Sequence, residues 1–542
     1  MKQETQEQHV SMKVNQANLV KGLKYSFTNK TTVLGELMQN ARRAGATQVE
    51  FEFDAEKKQL VVRDDGCGIN SMETLLTVAE SGWDAKTVTE EHPFGIGFLS
   101  ALFACEYLSI YSKGGHISVL TDDILSFNPV SVTKVPVWNG VTEITLSDVE
   151  LTEPAIKDAL KKLARGFSIP VIYNGEELAS PMAINSGLHF IKSDIGNIYL
   201  SGLEKPSSSD YKDFEVFLQG HLIYRSRLHI HNGEHHVIHL DSSSFYARLP
   251  DRERLINESE VVTEINQALS KEIEKRLISM KKSLTEQEFV GFYAIMKGWN
   301  LSSLLNDVSF VPSNVLWEMT DVPNCNTDAF GSFQEQVNCA LSRENIEARG
   351  VVTVSDDISD EGATRYLFAQ QRNHLLYSGG LDQRHWLNTL VRSLDGEELT
   401  IKATNESHRS CFKGEWVWAT VCFCDAITIQ IGKDQVVITD FSLYTGQSSK
   451  DDMVYVVNGD DSGDVLKQVS TYSSEFDDFQ EALWDSDTSA FSSFVVANTS
   501  KDTAEAIKRL LPDFSGCPSL YGEQFLLTLD NMGKVATVRS MA

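Results

Sequence analysis

Glu36 and Asn40 stand four residues apart in a stretch where Val33, Leu34, Leu37, Met38, Ala41 and Ala44 recur at helical spacing, so acid and amide share one helix face. A carboxylate placed there can take the proton of an attacking water. An amide oxygen beside it can complete the octahedral shell of a magnesium ion held mainly by phosphates and waters. The pairing suits hydrolysis of a triphosphate. A second stretch, Asp64-Asp65-Gly66-Cys67-Gly68-Ile69, carries two glycines that let a flat ligand approach the backbone. Asp64 can accept a hydrogen bond from an exocyclic amino group, which selects adenine over guanine. In a third, Phe94-Gly95-Ile96-Gly97-Phe98-Leu99-Ser100, two glycines precede the apolar run Phe98 to Phe103. Backbone amides at the start of a helix there can receive phosphate oxygens, favoured by the positive end of the helix.

These residues need a frame. Val49 to Val62 alternates as two strands with a turn at Asp54 to Lys58, so Asp64 leaves a strand end. Alternation returns from Tyr107 to Leu146. A helix from Glu153 to Arg165 and a strand at Pro170 to Tyr173 close a first domain over residues 1–180. Upstream, residues 11 to 30 read as a strand or arm followed by a short helix, Ala17 to Tyr25. Taken singly, each motif has an ordinary reading: a solvated helix face, a turn, a packing motif. Their order and their helix, strand, turn and helix context point instead to one site.

Together the three boxes resemble the GHKL ATPase superfamily of gyrase, the large heat-shock chaperones, histidine kinases and MutL. The resemblance covers roughly the first third of the chain. It implies an α+β fold opening with a two-layer α/β sandwich on a mixed, largely antiparallel sheet. It also implies ATP and magnesium as ligands, Glu36 as general base, Asn40 as magnesium ligand and Asp64 as adenine reader. Gly66, Gly68, Ile69, Phe94, Gly95, Ile96, Gly97 and Phe98 would frame the nucleotide. Thr142, on the strand that looks like the family's closing one, would hydrogen-bond the adenine or a water beside Asp64. Two departures stand out. His92-Pro93 replaces the glycine that usually opens the third box, and Glu80 stands where chaperones carry a lysine, leaving Lys86, in the lid segment from Gly82 to Glu91, as the substitute phosphate contact.

A second domain over residues 185–290 has strands at Asn197 to Leu200, Phe214 to Leu218, His221 to Tyr224 and Val237 to Leu240, then a helix from Val261 to Met280. This order resembles the ribosomal-S5-like transducer domain of chaperones and MutL. Leu249-Pro250-Asp251-Arg252-Glu253-Arg254-Leu255 is similar to the chaperone segment that carries an arginine to the γ-phosphate, which makes Arg252 the candidate sensor, since a guanidinium fits a phosphate bidentately. The histidines from His229 to His239 flank Asn232-Gly233 and read as a hairpin rather than a metal site.

The chain has 542 residues, 42% hydrophobic and 23% charged, enough for several cores. No apolar run approaches a membrane span and Met1 to Val10 has no signal-peptide core, so a cytoplasmic location is expected. The eight cysteines include no Cys-x-x-Cys pair and read as reduced structural thiols. Of the net charge of −28, residues 301–542 hold −19, with 36 acidic and 17 basic side chains. That balance disfavours nucleic acid as the partner of this part, because duplex affinity comes largely from cations meeting phosphates. Residues 295–542 read as an acidic, mixed α/β region of one or two subdomains. Helices are expected at Glu335 to Arg349, Asp382 to Ser393 and Ser500 to Leu510, and exposed loops with one strand and one short helix from Ser448 to Ser489. The functional expectation is an ATP-hydrolysing, chaperone-like clamp that forms an ATP-dependent homodimer and holds a protein client. A MutL-like nucleic-acid clamp is the alternative. A nucleotide-binding protein without turnover is a further rival. A histidine kinase is disfavoured, because only His9 precedes Glu36.

Overall fold

The structure, a computed structural model, describes residues 11, 12, 15–27, 29–78, 80, 82–91, 93, 95–227, 235–248, 254–323, 333–354, 362–446, 452–457, 463–472 and 479–541. The chain forms two compact units, Met1–Leu301 and Ser302–Ala542.

The first unit opens with helix α1 (Gln16–Leu23) and helix α2 (Thr32–Arg43). Strands β1 (Val49–Asp54) and β2 (Gln59–Asp64) follow, then short helices α3 (Met72–Leu76), α4 (Ala85–Glu91) and α5 (Leu99–Ala104). Strands β3 (Tyr107–Ser112) and β4 (Gly115–Leu120), helix α6 (Thr121–Leu125), strand β5 (Thr142–Ser147), helix α7 (Glu153–Ala164) and strands β6 (Val171–Tyr173) and β7 (Glu176–Glu177) complete the layer. The strands make one sheet in the order β4-β3-β5-β2-β1-β6-β7, antiparallel except for β1 against β6.

Alternation decides which face is covered. Val49, Phe51, Leu60 and Val62 are buried, in one core with Val33, Leu34, Leu37, Met38 and Ala41 of α2 and Ile156, Leu160 and Ala164 of α7. On the other face stand Glu50, Glu52, Val61 and Arg63. Arg63 pairs across the strands with Glu52 at 2.6 Å and Glu143 at 2.8 Å, a cross-strand cation between acids on the uncovered face. The result is a two-layer arrangement with helices on one side.

A second sheet runs β11-β10-β12-β9-β8, built from β8 (Ile191–Ser193), β9 (Gly196–Tyr199), β10 (Phe214–Leu218), β11 (His221–Arg225) and β12 (His236–Leu240). The hairpin expected around Asn232-Gly233 falls on residues 228–234, outside the described residues; among the described strands, β12 runs parallel to β10 and is not a neighbour of β11. Phe214 to Leu218 is buried at every position, which marks a central strand that needs a neighbour on both edges. Helix α8 (Glu258–Ser283) buries one stripe, Ile265, Leu269, Ile273, Leu277 and Met280.

The second unit is mixed. A five-stranded sheet, in the order Gln334–Gln336, Leu316–Met319, Leu375–Tyr377, Val351–Thr353, Val391–Ser393, shares a core with helix Gly362–Gln371 and strands Ala426–Ile431 and Asp434–Ile438. A four-stranded sheet of His408–Lys413, Trp418–Cys424, Met453–Val457 and Leu443–Thr445 supports a second core with Phe491 and Val495 of helix Glu481–Thr499. Asp487 of that helix is 1% exposed. Its carboxylate accepts the backbone N–H groups of Glu415 (2.6 Å), Trp416 (3.1 Å) and Val417 (3.0 Å) and the Tyr472 hydroxyl (2.9 Å).

Three expectations for this unit need correction. Only Arg343–Arg349 of Glu335 to Arg349 is helical, because Ser342 caps it by accepting from the Asn345 N–H, and the residues upstream join strands. Asp382 to Ser393 is a 3-10 turn followed by a strand. The Asp382 and His385 side chains bond the Arg384 and Leu387 N–H groups, so local capping outcompetes an α-helix. Ser448 to Ser489 is less exposed than expected, and its helix is longer. Val465, Leu466, Val469 and Tyr472 are buried, and the helix that begins at Glu481 runs 19 residues.

Candidate nucleotide site

Helix α2 is the wall on which the site is built. Thr31 opens it without a side-chain cap of its own, held by Asn29, whose side chain accepts from the Thr31 N–H. Positions 36, 40 and 44 advance about 40° per step around a helix, so they form a nearly straight row. One end of the row is Glu36, 5% exposed. There the backbone of Gly97 lies so close that a Cβ would sit 1.9 Å from Glu36 Oε2. At the other end Ala44 accepts the Cys67 N–H at 2.9 Å, and a Cβ on Gly66 would meet the Ala44 Cβ at 2.6 Å and Asp64 Oδ1 at 2.9 Å. Asn40, half-buried, lies on α2 between these contacts. The first box thus touches the third at Glu36 and the second at its C-terminal end.

Asp64 closes β2 opposite Thr142 of β5. Burial pushes its carboxyl up from the ordinary value, against the downward pull of the Gly66 N–H at 3.0 Å, with neighbouring Asp65 adding to the rise. Asp65 turns away, accepting from the backbone of Thr47 (2.7 Å) and Gln48 (3.3 Å) and from the Thr47 hydroxyl. Thr142, 3% exposed, bonds the Ser112 hydroxyl at 2.8 Å, and the same oxygen accepts the Ile69 N–H at 2.8 Å. A serine invisible to motif reading therefore joins Thr142 to the second box. Trp138 is another. Its indole carbons would lie 2.8 Å from a Cβ on Gly68, and its Nε1–H donates to the Val141 carbonyl at 2.7 Å.

The third box is a tight turn. Gly95 takes a φ of +67°, and a Cβ there would fall 2.3 Å from the Glu80 carbonyl oxygen, so two features require glycine. Leu99, Ser100 and Ala101 donate their N–H groups to the carbonyls of Ile96, Gly97 and Phe98, so these helix-start amides are already used. Any anion must be met upstream of them. Ile69, Ile96 and Phe98 pack against the core of the first sheet, which gives them a structural task. Lys86 is exposed on α4, its charge beside Asp84. Phe94 and Arg252 lie outside the described residues. The backbone N–H of Arg248 donates to the Arg254 carbonyl at 2.7 Å.

Among the described residues no group of three or more His, Cys, Asp or Glu side chains could hold a metal ion. No helix among them is long and apolar enough to cross a membrane.

In this part of the chain a mixed sheet is covered by helices, and the helix that carries an acid and an amide meets two glycine turns. Residues 25–154 match the family model of the histidine kinase-, DNA gyrase B- and HSP90-like ATPases, and this part of the chain is a GHKL-type domain, a class whose members bind ATP. No curated protein matches the chain.

Proposed function

We propose that the protein binds ATP with magnesium where α2 meets the two glycine turns and hydrolyses it. The observation that carries this is the row Glu36, Asn40, Ala44, with Gly97 pressed on the acid and the Asp64 turn on the far end. Glu36 takes the proton of the attacking water. Asp64 accepts from the adenine amino group, with Thr142 held beside it by Ser112. The donor set fits magnesium better than a metal caged by protein, because one amide oxygen at Asn40 suffices when phosphates supply the rest. Bound there, magnesium would neutralise phosphate charge. Arg252 is assigned to the γ-phosphate as its sensor, and Lys86 to the phosphate tail.

ATP and ADP then stabilise different populations, because contacts to the γ-phosphate exist only with the triphosphate. On this reading the second sheet and α8 form a transducer, and the chain works as a chaperone-like clamp, a homodimer in the ATP state, that holds a protein client through its acidic C-terminal unit. The wording Asp-Asp-Gly-Cys-Gly-Ile favours a second reading, a MutL-like clamp on nucleic acid. The charge of −19 on residues 301–542 weighs against it.

The test is phosphate release and calorimetric ATP binding. Glu36→Ala should keep binding and lose turnover by about a hundredfold or more, while Asp64→Asn should lose binding. A Glu36→Ala protein that turns over at the wild-type rate would remove the base assignment. ATPase stimulation by DNA, lost steeply with salt, would select the nucleic-acid reading.

A further inference from the structure

The turn joining β10 to β11 has two central residues, Gln219 at φ 53° and Gly220 at φ 83°. Two successive positive φ values are the hairpin geometry that favours Asn-Gly, because asparagine tolerates the left-handed region. Glutamine has no such local compensation, so its presence here is an outlier that calls for a reason.

The reason is where its polar groups go. The Gln219 carbonyl accepts the Gln39 Nε2–H at 2.8 Å, and its side-chain Oε1 accepts Arg43 Nη2–H at 3.1 Å. Its Nε2–H donates to the backbone carbonyl of Glu91, the last residue of α4, at 3.1 Å. Glu91 is held to α2 as well, by Arg42 at 2.6 Å and by Arg43, whose side chain is 2% exposed, at 2.8 Å. One glutamine thus touches the helix that carries Glu36 and Asn40, the end of the helix within the lid segment, and the second sheet. The adjacent residue strengthens the link. His221 stacks on Phe167 and lies against Gly35, the neighbour of Glu36, where a Cβ would come within 3.3 Å of the ring.

We propose that Gln219 is a latch, a positioning residue that ties α4 to α2 and carries the state of the nucleotide pocket into the second sheet. When the 85–91 segment is drawn onto a nucleotide, the Glu91 carbonyl and the arginine pair move with it, and the β10–β11 turn must follow or let go. The regulatory half of this proposal rests on the ATPase reading; the tie between α4, α2 and the turn does not.

The deciding variant is Gln219→Asn, which suits the turn better but has a side chain one methylene shorter. Hydrogen exchange of the full-length chain without nucleotide should show amides 85–91 opening about tenfold faster in the variant, as expected from losing two hydrogen bonds, one of them to an arginine. Its melting temperature should be no lower than the wild type's. Unchanged exchange at 85–91 would overturn the latch. With magnesium and the non-hydrolysable analogue adenylyl imidodiphosphate, the wild type should gain protection at both 85–91 and 214–225, and the variant at 85–91 alone. Equal protection of 214–225 in both proteins would overturn the coupling. A wild type that shows no nucleotide effect anywhere would count against the ATPase reading, while the nucleotide-free comparison still decides the latch.

Discussion

Gly97 can bear no side chain without disturbing Glu36, since the added carbon would overlap the carboxylate. Its φ is not positive, so alanine meets no backbone strain and the conflict is steric alone. The flexible end of Glu36 must yield, which predicts a split effect in Gly97→Ala. Stability should fall by only about 1–2 kcal/mol, whereas turnover should fall about a hundredfold because a base displaced by an ångström is misaligned. Gly22→Ala is the control, as nothing lies within 4 Å of its Cβ position and it sits inside α1. It should leave turnover unchanged and raise stability by about 0.5–1 kcal/mol. Thermal melts and phosphate release measure both. Asp64 carries a second prediction. On the proposed reading its ionised form accepts the adenine amino group, and burial raises its carboxyl above the ordinary aspartate value of about 3.9. Protonation on acidification therefore replaces a charged acceptor with a weaker neutral one, and ADP affinity should weaken at a pH where surface aspartates are still charged. Calorimetry between about pH 7 and pH 4.5 checks this, and an affinity flat over that range would disprove the assigned role.

Strand β12 adds acid sensitivity to the first unit. His236 is wholly buried, its Nδ1 accepting the Ser201 N–H, and burial pushes its ring down to about 4. In an unfolded chain the ring titrates near about 6.5. Between those values the unfolded state binds a proton that the folded state refuses, so stability declines as pH falls through that window and is unaffected above it. His239, lowered by burial too, acts in the same direction. Denaturation midpoints at about pH 7, 5.5 and 4.5 should fall in that order. None of this was legible in the strand's sequence, where the histidines read as flanks of a hairpin. The same contrast runs through the fold. The α2 row, the β1–β2 pair and the glycine turns were readable, because periodicity and short-range spacing encode them directly. Ser112, Trp138 and Gln219 were not, since each acquires its role from a partner tens to more than a hundred residues away. The Asp382 to Ser393 segment was misread for a different reason: two side-chain caps, each costing the helix a little, outvoted its periodicity.

At the scale of the whole molecule, the division at Leu301 predicts that residues 1–301 expressed alone fold cooperatively, since they form a compact unit with their own cores. A single unfolding transition with nucleotide affinity within about threefold of the full chain is expected, and a molten or aggregated fragment would refute it. In the second unit, Asp487→Ala should cost about 3–5 kcal/mol, because three backbone N–H groups and a tyrosine hydroxyl lose their shared acceptor. Chemical denaturation of the full chain, followed by tryptophan fluorescence, measures the loss. That carboxylate also imposes an order on biosynthesis. The turn it holds is complete some 70 residues before it is made, so on the ribosome the backbone N–H groups of Glu415, Trp416 and Val417 lack that acceptor until the helix that supplies it emerges.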